Sequence, residues 1–439
     1  SPERVEGWIN LGSMMVECRQ LKAAINVLGQ ALQRQPDNWV SYMVMGDAQR
    51  LNADRDKALE CYSKAVAINR APAALNRLGS FLRHMGQVDE AVTHFDEAIA
   101  TDHRFSLAQV NRATIEIDRG NFDEAELQLT ILSSRELPPK EAQEVLSCGT
   151  AVFEYRRLCS FIDPLTESSD LAPLEDALRD LPGPAQVVDN EALKTIALCM
   201  NSTRALRPQS RPLDMELPDD WALLEALHMV PYVHSVDDYL AYLDSPPNLA
   251  DSYDIVLHQS TNMEAAVTAC RRAKGRLADP VTLETHLRHW HKLACNGVAG
   301  YHAGHFKYVR NVDLRSPSLP LVDPGATSST FRIAAAKAYL NTQPGIERAA
   351  IAFLIVANLH LFGDGNGRVG MTWMNRELEW AGEMPVLCAE HLGLKGMFGH
   401  ALRDVRDYGG DLTPMFDFIV AAQDYSKAFC TELAQKRRA

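Results

Sequence analysis

The sequence predicts a mainly α-helical protein, and three observations carry that prediction. Small residues recur every 33–34 positions across the first third of the chain. An apolar run from Ala349 to Phe362 breaks at a glycine-rich turn and resumes as an amphipathic run. The stretches between show helical periodicity rather than strand alternation, at Leu171–Leu181 and again at Trp221–Met229.

The repeat comes first in the chain. Gly12, Gly46, Gly79 and Ala113 form one series, with gaps of 34, 33 and 34 residues. Ala24, Ala58, Ala91 and Ala125 form a second, and Leu28, Tyr62, Phe95 and Leu129 follow four positions later as large core residues. Small residues are required where two antiparallel helices cross too closely for bulkier side chains. With Trp8, Leu11, Ala31 and Pro36, the pattern resembles four tetratricopeptide repeats at about residues 5–138, the last degenerate as a terminal repeat often is. Residues 1–138 are therefore assigned to a repeat solenoid. Such an array implies either a groove for a peptide or partner protein or a spacer, and the pattern leaves both open.

Residues 139–249 are expected to be a helical connector without chemistry. Pro182-Gly183-Pro184 marks a break, and Arg204–Pro218, with three prolines, reads as a loop or linker.

Residues 250–439 hold the chemistry. His360-Leu361-Phe362-Gly363-Asp364-Gly365-Asn366-Gly367-Arg368 puts a histidine, a carboxylate, a glycine turn and an arginine within nine residues. A helix entered through such a turn offers unpaired N–H groups and a positive dipole end to an anion. Gly365 and Gly367 let the backbone take turn conformations and approach a ligand closely. Asp364 is suited to Mg²⁺ on phosphate oxygens, Arg368 to their charge, and His360 to a hydroxyl proton. An EF-hand register fails, because Phe362 and Trp373 would fall at its first and twelfth positions and neither binds calcium.

This segment resembles the signature of Fic proteins, H-x-F-x-[D/E]-G-N-G-R-x-x-R. Seven specified positions match, and Met371 stands where the family has its second arginine. Gly300-Tyr301-His302 resembles the G-x-Y-R turn with His for Arg, Leu321-Val322-Asp323-Pro324 the end of the substrate flap, and Gly410-Asp411-Leu412-Thr413-Pro414 the start of the closing helix. The resemblance implies a Fic-type helical domain with a small β-hairpin flap, at about Lys307–Pro324, whose edge pairs with an extended target. It also implies His360 as general base, Asp364 as Mg²⁺ ligand, and Gly365, Asn366 and Gly367 as an anion hole. Arg368 would meet the departing pyrophosphate. The implied activity is transfer of a nucleotidyl group, AMP by default, from a Mg²⁺-nucleotide such as ATP to a Ser, Thr or Tyr hydroxyl of a protein.

Two departures bear on the donor. Ser260–Ala265 resembles the family's inhibitory helix, whose Glu264 would pair with the second arginine; Met371 cannot form that pair. Leu394 falls where relatives often have a base-reading Asn. Two further readings therefore stand beside the first. One is a Fic fold using another nucleotide or a diphosphate-linked donor, such as phosphocholine transfer from a choline donor. The other is a repeat-based adaptor with a catalytically weak Fic domain.

Composition sets the remaining bounds. A net charge of −13 speaks against a nucleic-acid partner. Nine scattered cysteines without a C-x-x-C pair suit neither zinc nor a disulfide framework, and point to a reducing compartment. The expected location is a cytoplasm, the cell's own or that of a host into which the protein is delivered; the native N-terminus is not visible. The Ala349–Phe362 run is too short to span a bilayer. His286, His289 and His291 invite a zinc reading, but no Glu or Cys completes a tetrahedral set at the usual spacing, and Leu287, Trp290 and Leu293 make this an amphipathic core helix. Oligomeric state is left open.

Overall fold

The small-residue series become a row of helical hairpins. In the computed structural model the described residues are 5–18, 20–52, 54–167, 169–181, 191–203, 209, 211–230, 233–246, 255–273, 277–297, 302–309, 322–389, 393–407 and 410–438. The chain divides into two compact units, Ser1–Phe153 and the later part from Glu154 onward.

In the first unit, α1 (Val5–Glu17) pairs with α2 (Leu21–Arg34), and α3 (Trp39–Leu51) with α4 (Arg55–Ile68). The pairs α5 (Pro72–His84) with α6 (Val88–Thr101) and α7 (Ser106–Asp118) with α8 (Phe122–Ser133) continue the array. Asn38 and Asp54 cap α3 and α4 by accepting from the Ser41 and Lys57 amides. A Cβ on Gly46 would lie 2.6 Å from the Tyr62 ring, and one on Gly79 would lie 2.8 Å from that of Phe95. Glycine here is a packing requirement. Asp47 adds polar contacts within and between hairpins: Tyr62 of its own hairpin donates to it at 2.8 Å, and Arg77 of the next pairs with the same carboxylate at 2.6 Å. A 24-residue helix, α9 (Pro139–Ile162), follows the array.

The second unit contains α10 (Ala172–Arg179), α11 (Glu191–Thr203), α12 (Trp221–Met229), α13 (Val236–Asp244) and α14 (Ile255–Arg272). After them come α15 (Pro280–Ala294), α16 (Thr327–Asn341), α17 (Ile346–Leu359), α18 (Asn366–Trp380), α19 (Leu394–Asp407) and α20 (Thr413–Arg438). Every residue of α17 except Glu347 is buried, which makes it the axis around which the others pack. A Cβ on Gly370 would lie 2.9 Å from the Phe353 ring, so α18 crosses α17 at close range.

Helices within the stretch expected to be a connector share this core. Ile196 and Met200 of α11 and Ala226 of α12 are buried in the same apolar cluster as α14–α18. The proline-containing segment before α12 is held too: Leu213 donates to the Gly382 carbonyl and Met384 to that of Arg211, both at 2.8 Å.

The described residues contain no strand, so the fold class is all-α. The β-hairpin expected at about Lys307–Pro324 falls largely on residues 310–321, and Pro182-Gly183-Pro184 on 182–190; both lie outside the described residues. Among the described residues no helix is long and apolar enough to cross a membrane.

The hairpin crossings give a paired prediction. Gly46→Ala should destabilise the repeat unit by about 1–3 kcal/mol, because the Tyr62 ring must leave its place. Gly29→Ala, in the middle of α2 with nothing near the added carbon, should stabilise it by about 0.5–1 kcal/mol. Thermal unfolding of both variants measures the contrast; equal effects would refute the close-crossing account.

Candidate active site

The site is the connection between α17 and α18, and its shape follows from two left-handed residues. His360 ends α17 at φ +49°, with its amide still bonded to Val356, and Gly365 opens α18 at φ +76°. A non-glycine residue in that region is uncommon and is held there by its surroundings. Three sets of contacts do so here.

Asn366 supplies the first. Its Oδ1 accepts from the Phe362 amide and its Nδ2 donates to the Phe362 carbonyl, both at 2.9 Å. The same Nδ2 lies 3.3 Å from Nδ1 of His360. One buried side chain therefore closes the loop on itself and orients the imidazole.

Lys307 supplies the second. It is 2 % exposed, and its Nζ donates to the Leu359 carbonyl at 3.0 Å. Its backbone amide donates to the carbonyl of Leu361 at 2.9 Å. The carbonyls on either side of His360 are thus fixed by a single residue, with an ammonium at the negative end of α17.

His291 of α15 supplies the third. Its ring is fully buried, stacked on Phe362 with centroids 3.8 Å apart and planes 5° from parallel. Nε2 is 2.9 Å from the Asp364 carbonyl, and Nδ1 accepts from the Gly304 amide at 2.8 Å. A Cβ on Gly365 would lie 2.7 Å from Cys295 Sγ and 3.0 Å from this Nε2, so both space and φ demand glycine. Burial lowers the His291 pKa to about 3, which keeps the ring neutral.

The remaining residues of the loop face outward. Gly363, Asp364 and Gly367 are exposed, and Arg368 is half-buried on the first turn of α18. Nothing lies within 4 Å of a Cβ added to Gly367, so no packing demand explains the missing side chain. Asp364 Oδ1 accepts from the Gly365 amide at 2.5 Å. One exposed carboxylate suits a magnesium ion completed by water and substrate phosphates rather than a cage of protein ligands. Among the described residues no cluster of three or more His, Cys, Asp or Glu side chains could hold a metal by itself.

The structure therefore brings His360, Asp364, Gly365, Asn366, Gly367 and Arg368 into one loop and helix start. Met371 lies one turn further on, 7 % exposed and part of the apolar core. Leu394, at the start of α19, is buried there too. Glu264 is half-buried on α14, with its carboxyl pKa raised by burial and by Glu167 and Asp220, and no ion pair holds it among the described residues. Gly300 and Tyr301 lie outside the described residues; His302, at φ +41°, sits between the hydroxyls of Tyr155 (3.0 Å) and Tyr308 (2.8 Å). Asp411 accepts from the Thr413 amide at 3.0 Å where α20 begins.

Two site residues escaped the sequence reading. Lys307 was visible only as the root of a flap, and His291 only as one of three histidines on a core helix. Their neighbours do face the core: His289 Nε2 is 2.7 Å from the Thr166 carbonyl, and His286 lies against Trp290.

Comparisons with known proteins find two kinds of similarity. Residues 280–378 match the Fic/DOC family, and residues 40–72 and 73–102 match tetratricopeptide repeats. No curated protein matches the sequence. Among solved structures, Fic-1 (residues 134–508) from C. elegans is 16 % identical at a TM-score of 0.37, covering 92 % of this chain and 100 % of that one. PilW, a type IV pilus biogenesis factor, is 20 % identical at 0.32, covering 40 % and 87 %. MamA is 22 % identical at 0.27, covering 33 % and 80 %. Superpositions this loose decide nothing about chemistry. Residues 280–378 thus form a Fic/DOC-type domain preceded by tetratricopeptide repeats, which in general terms supports a Fic-type transferase.

Buried titratable groups of the second unit give opposed pH dependences. His305 is 2 % exposed and its pKa is lowered by burial to about 4; Glu225 is buried and its pKa is raised by burial to about 8. Between about pH 5 and 6 the unfolded chain binds the extra proton at His305, whereas the folded chain binds it at Glu225. His305 thus contributes stability that is lost on acidification, and Glu225 stability that is lost as pH rises. His305→Phe should flatten the fall in stability from pH 6 to 5 by about 1.4 kcal/mol per pH unit, and Glu225→Gln should steepen it by about as much. Urea unfolding at the two pH values measures both; slopes that move together would refute the assignment.

Proposed function

We propose that the second unit transfers a nucleotidyl group, AMP by default, from a Mg²⁺-nucleotide such as ATP to a hydroxyl side chain of a protein. The observation that carries this reading is the closed loop from His360 to Asn366, which sets a half-buried imidazole beside the open N-terminus of α18.

In this reading the target hydroxyl oxygen attacks the α-phosphorus while the bond to the bridging oxygen breaks and pyrophosphate departs. His360 takes the hydroxyl proton on the ring nitrogen that carries the lone pair. The amides of Asn366 and Gly367, and that of Gly365 once the Asp364 carboxylate leaves it for magnesium, would receive the phosphate oxygens with the dipole of α18, and Arg368 neutralises the leaving pyrophosphate. Asp364 would hold magnesium, which supplies charge neutralisation on the α- and β-phosphates when bound. The repeat unit offers a surface to a protein or peptide partner.

A second reading keeps the fold and changes the donor to another nucleotide or a diphosphate ester, such as a choline donor. Met371 and Leu394 favour it, because both are apolar and packed into the core where relatives of this sequence type carry polar donor contacts. Loss of one charge-assisted contact to a terminal phosphate costs about 1.5–3 kcal/mol, roughly one to two decades in affinity.

His360→Ala should lower transfer by about 10²–10⁴-fold while nucleotide binding stays nearly intact. Calorimetry alongside a labelled-donor assay tests this, and transfer retained by the variant would remove His360 as base. Met371→Arg should raise ATP affinity by roughly one to two decades. It should also lower the melting temperature of the nucleotide-free protein, because the new charge is buried. Unchanged ATP affinity in a folded variant would detach Met371 from donor choice.

A further inference from the structure

We propose that His291 is a positioning residue, setting the peptide between Asp364 and Gly365 so that the Gly365 N–H faces the incoming phosphate. The inference rests on the phosphate-transfer reading above and adds to it a residue of α15, outside the loop.

The argument begins at Nδ1. It accepts from the Gly304 amide at 2.8 Å, and a backbone N–H can only donate. Nδ1 therefore carries the lone pair, and the single ring proton sits on Nε2. Nε2 then donates to the Asp364 carbonyl 2.9 Å away. In a trans peptide the C=O and the following N–H point in opposite directions, and the described chain contains no cis peptide. A carbonyl turned toward His291 thus turns the Gly365 N–H away from it. On that side lies the exposed Asp364 carboxylate, whose Oδ1 takes the same N–H at 2.5 Å.

The imidazole has no freedom to do otherwise. Phe362 stacks on one face, Cys295 Sγ lies 3.4 Å from Nε2, and Gly365 leaves only enough room for the ring by lacking a Cβ. Gly304 is itself left-handed at φ +88° and stands three residues before Lys307, whose amide is bonded to Leu361. One ring thereby ties the amide that would receive phosphate to the segment that holds His360 from the other side. Rotating this peptide by half a turn would present a carbonyl oxygen to the phosphate and repel it.

The test compares wild type with His291→Phe, which keeps the stack and loses both hydrogen bonds, and with His291→Gln, whose amide nitrogen can still reach the Asp364 carbonyl. The probe is inorganic pyrophosphate with Mg²⁺, followed by calorimetry and by the Gly365 amide resonance. Nitrogen NMR of the imidazole reads its tautomer in the unmodified protein, independently of any variant's folding. The expected result is a proton on Nε2 in wild type, pyrophosphate binding weakened at least roughly tenfold in His291→Phe, and recovery of most of it in His291→Gln. A proton on Nδ1 overturns the proposal outright. Pyrophosphate binding by wild type and an equally good His291→Phe overturns the positioning role alone. A wild type that does not bind pyrophosphate overturns the phosphate-transfer reading, and the positioning role falls with it.

Discussion

The structure of the site depends on one side-chain amide. Asn366 satisfies both backbone groups of Phe362 and touches His360, so the six residues between α17 and α18 have one shape. A short loop with two left-handed ends is a strained object, each such residue costing about 1–3 kcal/mol when it is not glycine. His360 is not glycine. Its conformation persists because Asn366 closes the loop from inside while Lys307 holds the carbonyls of Leu359 and Leu361 from outside. Losing either support would release the histidine into the ordinary right-handed region and turn its ring away from the start of α18.

The supports have supports. Arg288 lies over the Phe306 ring at 3.8 Å, and Phe306 packs edge-on against Phe362, which carries the stacked His291. Arg288 is buried and paired with Glu284, which also accepts from Ser328 and Arg332 of α16. Removing such charges from water is expensive, and replacing them with apolar groups would often be neutral or stabilising. Their contribution here is geometric: they lock α15 to α16 and fix where Phe306 can sit. Rigid elements hold a reactive constellation more closely than loops can. The loop accordingly leans on α15, α17 and α18, and on the 302–309 segment that Phe306 and Lys307 pin to them.

Legibility in the sequence followed the range of the interactions. Repeats were visible because Gly46 against Tyr62 and Gly79 against Phe95 are contacts within one hairpin, sixteen residues apart, and recur. The site loop was visible because its glycines, Asn366 and His360 act on one another within seven residues. His291 and Lys307 act across 73 and 52 residues, on backbone carbonyls that any sequence possesses, so no residue type at the other end betrays the contact. The same reason hid the contribution of α11 and α12 to the catalytic core: an amphipathic helix announces that it will be buried, not against what. Arg204–Pro218 shows the converse limit. Its prolines marked a loop correctly at 211–218, yet two backbone hydrogen bonds to Gly382 and Met384 tie that loop to the end of α18.

Met371 shows what the chain gives up and keeps at this site. An arginine there would carry its charge into the packed face of α18, a cost of several kcal/mol unless a phosphate met it. Helix α18 would then seat fully only with a triphosphate bound. Methionine removes that condition: its thioether fills the core whether or not a ligand is present. In the proposed reading the residues that remain, namely His360, Asp364, the α18 amides and Arg368, would address a phosphate, a metal and a leaving group, none of which requires a third phosphate. Selectivity for the rest of the donor must then come from surfaces around the loop rather than from α18 itself. Glu264 fits the same logic, since among the described residues no arginine pairs with its carboxylate. On the proposed reading, a chain built this way would hold its loop ready and leave the choice of donor to residues outside α18.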